Sequence, residues 1–139
     1  MHDEGTAFFA ASIAQGNGAA EAAVRSLLAT NRQLDKGNAQ PGSLGADYGR
    51  LGLELWPALE ARYPNRTKAQ NGALDKLNRA RNALAHGLDA PIRDLRADGY
   101  PLTLATFRRW RALLDSLATN IDDELAAQLG FLFGQPAPW

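Results

Sequence analysis

The chain contains no cysteine, which excludes a disulfide framework, a thiolate metal site and a cysteine nucleophile. It has no apolar run approaching the roughly 18 residues of a membrane span, and it opens Met1-His2-Asp3-Glu4, without the basic stretch of a secretory leader. A cytoplasmic protein that does not engage a membrane is the expectation. Segments in which apolar and polar residues alternate between turn signals are also missing, so strands are not expected. Neither a Walker A pattern nor a dinucleotide glycine fingerprint occurs, and no histidine and carboxylate set has metal-ligand spacing, so the reading invokes no cofactor and no metal.

What is present is a chain of 139 residues, 45% hydrophobic, long enough for one domain with a real core. Its formal net charge is zero, but the sum hides an asymmetry. Residues 62–111 hold 11 Lys or Arg against 4 Asp or Glu, and the flanks carry the balancing acids. Such a stretch is either a solvated arginine-rich face or the footprint of a polyanion.

Apolar residues recur at three- and four-residue spacing, which predicts an all-α, up-and-down bundle of four to five helices over residues 1–130. Phe8, Phe9 and Ile13 suggest an opening helix. After the Gly16-Asn17-Gly18 break, Ala20, Val24, Leu27 and Leu28 suggest a second. The Gly- and Pro-rich stretch from Leu34 to Gly45 reads as a loop. Tyr48, Leu51, Leu55, Leu59 and Tyr63 form the stripe of a third helix, which Pro57 should kink or restart. A fourth helix runs from Pro64 to about Gly87 with Leu74, Leu77, Leu84 and Leu88 on its apolar stripe. Two prolines and Asp98-Gly99 mark the connection between Ala90 and Leu104, with room for a short extended or helical piece. Phe107, Trp110, Leu114, Leu117, Ile121 and Leu125 define a final helix that should stop at Gly130. Residues 131–139, Phe131-Leu132-Phe133-Gly134-Gln135-Pro136-Ala137-Pro138-Trp139, read as an apolar tail that docks on its own bundle or on a partner.

The fourth helix carries the chemistry. In Asn78-Arg79-Ala80-Arg81-Asn82-Ala83-Leu84-Ala85-His86-Gly87, a helical wheel sets Arg81 inside the leucine stripe, where a guanidinium needs a second helix or second subunit to supply acceptors. Asn82 and His86 stand four residues apart, so the amide is placed to orient the imidazole. Asn78 extends the same polar edge. Arg81 and His86 point about 140° apart on the wheel, so their heads converge only around Asn82 or across an interface. The C-terminal helix dipole favours a cationic imidazole. The plainer alternative is that His86 caps the last carbonyls and Arg81 snorkels or pairs with a nearby carboxylate.

The run Arg81-Asn82-Ala83-Leu84-Ala85-His86, an arginine, a polar residue, three further positions and a histidine, resembles the signature of the HEPN superfamily, and Ala85-His86-Gly87 sharpens the likeness. The helix containing Phe107-Arg108-Arg109-Trp110-Arg111 is similar in character to those domains, so the resemblance covers about residues 70–127. It implies a bundle that pairs through the motif helices, with both copies of the arginine and histidine in a shared cleft. It further implies metal-independent endoribonuclease action in a toxin–antitoxin or defence system, with an antitoxin protein as a possible partner, or a module that has lost catalysis and binds RNA or protein. Carried onto this chain, His86 is the acid or base, Arg81 the phosphate clamp and Asn82 its companion, while Arg79, Arg108, Arg109 and Arg111 are the RNA-binding cations.

The other histidine, His2, lies near the start of the chain, so a two-histidine mechanism needs a second His86 from a homodimer. Two features depart from the pattern. Leu88 stands where some family toxins have a modifiable tyrosine, and for the upstream acidic residue many members contribute Glu54 and Glu60 are candidates, whose plainer reading is as ordinary surface glutamates.

Overall fold

The computed structural model describes residues 32–134, together with Ala22, Arg25, Ser26, Ala29 and Thr30, and among these every regular element is helical. The order is α1 (Gln33–Lys36), α2 (Pro41–Gly49), α3 (Leu55–Arg62), α4 (Pro64–His86), α5 (Asp89–Ala97) and α6 (Leu104–Phe133). The expected opening helix and the apolar face of the second lie outside the described residues. Ala22, Arg25, Ser26 and Ala29 of that second segment are helical.

Three boundaries differ from the sequence reading, each for a local reason, and the connection after Ala90 takes the helical form that the sequence left open. The stretch 34–45 is not one loop: Gln33–Lys36 makes a single helical turn and α2 begins at Pro41, because a proline at the first helical position forfeits only an amide that has no intrahelical partner. The third helix does restart, but ahead of Pro57. α2 ends at Gly49 and α3 opens at Leu55, which leaves Pro57 in the first turn of α3, where its missing donor costs little. The connection after Ala90 is mostly helix, with α5 closed by backbone bonds from Gly99 to Arg96 and from Tyr100 to Leu95. The last helix passes through Gly130 and stops at Gly134, whose φ of 63° is left-handed. Residues 131–133 are thus its final turn rather than a tail, and residues 135–139 are outside the description.

α4 and α6 run side by side as the longest elements, 23 and 30 residues. They are antiparallel, since Arg62 and Tyr63, at the junction that leads from α3 into α4, meet Glu124 and Asp123 late in α6, while Lys76 and Leu77 share grooves with residues near its start. Two apolar clusters hang on this pair. Leu53, Leu55, Leu59, Leu74, Leu117 and Ile121 join α3 to the first half of α4 and the second half of α6, with Tyr48 and Trp56 packed against them. Ala73, Ala80, Leu95 and Trp110 join α5 to the other end, with Leu77, Tyr100, Leu102, Phe107 and Leu113 around them. α6 starts from Thr103, whose hydroxyl accepts the Thr106 amide, as an N-cap should.

The buried face of α4 is not the leucine stripe. Leu74 is in the core and Leu77 is half-buried, but Leu84 and Leu88 are 58% and 48% exposed. In the second half of the helix the buried positions are Asn78, Ala80 and Ala83. Small side chains there let α5 and Trp110 approach, so the buried face turns away from the leucines as α4 proceeds.

Leu59 is fully buried among the leucines of the first cluster. Leu59→Ala is expected to lower the free energy of unfolding by about 2–5 kcal/mol, the cost of a buried leucine truncation, measured as a shift in the urea midpoint followed by circular dichroism.

Candidate functional site

α4 ends in a Schellman closure: the Leu88 amide donates to the Ala83 carbonyl at 2.8 Å and the Gly87 amide to Leu84. Gly87 takes φ 62°, a left-handed conformation that favours glycine. The turn delivers Arg81, Asn82 and His86 to the last two turns of the helix. Arg81 and His86 are exposed and Asn82 is half-buried. The expectation that Arg81 faces the core is therefore corrected. The residues that fill the core at that level are Ala80 and Ala83, and the guanidinium stands outside.

The acceptor Arg81 finds is a side chain that spacing did not nominate. Asn38, in the loop between α1 and α2, accepts from the Arg81 guanidinium through Oδ1 and donates through Nδ2 to Asn82 Oδ1. One turn earlier Asn78, buried, donates at 2.8 Å to the Ala39 carbonyl and to Leu74 of its own helix. Three polar residues of α4 thus grip one short loop. Asn82 spends its carbonyl oxygen on Asn38, and the expected Asn82–His86 hydrogen bond does not form. Among the described residues His86 makes no side-chain hydrogen bond or ion pair, which leaves both ring nitrogens open to a ligand or partner.

The loop is itself held from behind. Both carboxylate oxygens of Asp47, on α2, accept the first amides of α1, Gln33 at 2.7 Å and Leu34 at 3.0 Å. Desolvation by itself raises the Asp47 carboxyl, but these two amides, with Arg50 and Arg32 nearby, bring it below its ordinary value. A residue on α2 therefore caps α1 and sets where Asn38 leaves it.

The acidic candidates do not reach the histidine within one chain. Glu60 is exposed two residues from the end of α3, and Glu54 is the exposed residue just before its start. At 1.5 Å per residue, α3 spans about 12 Å from the junction at Tyr63, while His86 lies about 34 Å from that junction along α4. Glu54 and Glu60 are thus roughly 20 Å or more from His86, too far for either carboxylate to touch it.

The proposed RNA-binding cations divide rather than gather. Arg108 and Arg111 border a groove of about 480 Å³ lined by Leu77, Leu104, Phe107 and Leu114, and Arg111 lies 3.7 Å from Asp115, both exposed. Arg109, a helical step away, borders a second groove with Lys68, Lys76, Tyr100 and Trp110. Arg79 is half-buried on the same edge of α4 as His86. No group of three His, Cys, Asp or Glu residues clusters as a metal-binding set among the described residues, and no helix among them is long and apolar enough to cross a membrane.

Compared with models of protein families, with curated proteins and with solved structures, the chain matches none.

The Asp47 cap has a pH signature. Its lowered carboxyl contributes stability that is complete above the unfolded value of about 3.9 and is lost as pH falls through the lower folded value. The urea-midpoint difference between the native chain and Asp47→Asn should be largest near neutral pH and vanish in strong acid. Asn38→Ala, which removes both contacts to α4, should cost about 1–2 kcal/mol in the same assay.

Proposed function

We propose that the chain is a metal-independent endoribonuclease of the HEPN type found in toxin–antitoxin and defence systems, working as a homodimer through the C-terminal half of α4. The observation that carries this reading is the uncovered leucine face around Arg81. Leu77 and Leu84 share one side of α4 with Arg81 between them, Leu88 is exposed just past the end of the helix, and Leu104, Phe107 and Leu114 of α6 extend the surface through the groove that Leu77 lines. Large exposed apolar side chains grouped on one face are unusual on a monomer and fit a self-complementary contact.

A second copy seated on that face supplies what one chain lacks. In this reading the second imidazole is a second His86. One His86 nitrogen takes the proton from a ribose 2′-hydroxyl, whose oxygen attacks the adjacent phosphorus. The bond to the 5′-oxygen breaks, and the partner's His86 returns a proton to that leaving oxygen. Arg81 offsets the charge building on the phosphoryl oxygens. The products are a 2′,3′-cyclic phosphate and a 5′-hydroxyl, with no metal in the balance.

A second reading has its own support. Because Asn38 ties Arg81 and Asn82 to a loop, these residues also serve as a structural clasp, and the same surface suits a non-catalytic module that binds RNA or a protein partner such as an antitoxin.

Purified protein is expected to cut single-stranded RNA in EDTA, leaving 2′,3′-cyclic ends. His86→Ala should reduce the rate by about 10²-fold or more, and Arg81→Ala by about 10²–10³-fold. Leu84→Asp should convert a dimer to a monomer in light scattering and abolish cutting. RNA that remains intact with the native chain, while binding survives in His86→Ala, selects the non-catalytic module. A monomeric native chain that still cuts removes the dimer.

A further inference from the structure

A groove of about 390 Å³ lies on the side of α4 away from the exposed leucines, between that helix, the start of α6 and the turn after α5. Lys68, Lys76 and Arg109 line it with Asn65, Tyr100 and Trp110, and no carboxylate does. Three cations facing one concavity without an acid raise the local potential for anions well above that of a neutral protein's average surface.

Two details make it more than a basic patch. The Lys76 ammonium sits 4.5 Å from the centre of the Tyr100 ring and 3.4 Å from the Gly72 carbonyl, so this cation is held in place before any ligand arrives. Gly72 leaves room for it, since a Cβ at that position would stand 3.2 Å from Nζ. Glycine is a weak residue inside a helix relative to alanine, and here it stands where the lysine head sits. Trp110, stacked near Tyr100 and edge-on to Phe107, is 1% exposed, and its indole Nε1 has no hydrogen-bond partner.

We infer that this groove binds the phosphate of a ribonucleotide, with Lys68, Lys76 and Arg109 as the charge partners and Trp110 in its wall. On the wheel, Lys68, Gly72 and Lys76 continue through Arg79 into the edge that carries His86. Lys76 and His86 are ten residues apart, about 15 Å along the axis, a distance a few nucleotides of a single strand span. The favoured source of the phosphate is therefore an RNA strand running along α4, and a free nucleotide presents the same group. Binding by the groove does not depend on cleavage at His86, so it is measured on the His86→Ala chain, which separates its failure from failure of the ribonuclease reading.

The test titrates His86→Ala with a fluorescent ten-nucleotide oligouridine, uridine monophosphate and inorganic phosphate, each followed by anisotropy or by the indole resonances in ¹⁵N spectra. The oligonucleotide should bind with an affinity that falls as salt rises and should shift the Trp110 indole signal. Adding Lys76→Ala and Arg109→Ala together should weaken it at least tenfold. Arg66→Ala, which removes one charge of α4 that does not line the groove, should change it less than twofold. Gly72→Ala should raise the thermal midpoint and still weaken binding severalfold, a combination that loss of folding does not produce. Tight binding of the monophosphate without the oligonucleotide identifies a free nucleotide as the source. Equal losses in Arg66→Ala and in the double variant, or an unmoved Trp110 signal at saturation, overturn the proposal.

Discussion

Gln70 is completely buried where α4 crosses α6. Its amide donates to Ser116 Oγ at 3.1 Å and its carbonyl oxygen accepts from Asn120, itself buried, at 3.3 Å. Sliding one helix by a turn would strand three polar groups among leucines, each at a cost of about 1–3 kcal/mol. The apolar contacts alone tolerate several registers, since leucine meets leucine almost equally well one turn away. A small, fully satisfied polar set therefore specifies the alignment of the two longest helices. Every later feature inherits it: Arg109 beside Lys76, Trp110 against Ala73 and Ala80, and a C-terminal half of α4 that extends past the first cluster.

That half of α4 is packed on unusual terms. Its first half is buried by leucines from α3 and α6, and its second by alanines that admit α5 and Trp110 and by a loop clamped through Asn78, Arg81 and Asn82. With those sides occupied, the leucine side faces outward. Arg81 sits at the seam between the clamped loop and the exposed leucines. It has a structural partner in its own chain and remains accessible to a phosphate or to a second chain.

Charge follows the same geometry. The basic stretch 62–111 is not spread evenly over the surface. Arg62 is answered by Glu124 and Arg111 by Asp115, while Lys68, Lys76 and Arg109 share a groove without an acid. The late acids of α6 are drawn toward the start of α4, where Asp123 accepts from Tyr63. Of the other cations, Arg79 lies on the edge of α4 that carries His86, while Arg108 borders the separate groove beside Leu77.

The helical class, the span of α4 and its closure at Gly87, and the length of the final helix to within a turn were all legible in the sequence. Each depends on local signals: apolar period, a proline at a first turn, a glycine past a last one. The position of Arg81, Asn82 and His86 near one helix end was legible for the same reason. Their partners were not. Asn38 lies 43 residues from Arg81 in a stretch with no periodicity, and its role arises only because Asp47 caps α1 from another helix. The exposed leucines were assigned inward because a wheel records which residues share a side of a helix, not which side the rest of the chain covers. The sequence alone determined what forms helix and where the chemistry-bearing residues sit along it. Which face of α4 is buried, and with it which arginine is clasped and which groove is charged, was decided by tertiary packing, because alanine and a clamped loop cover that side more closely than leucine would allow.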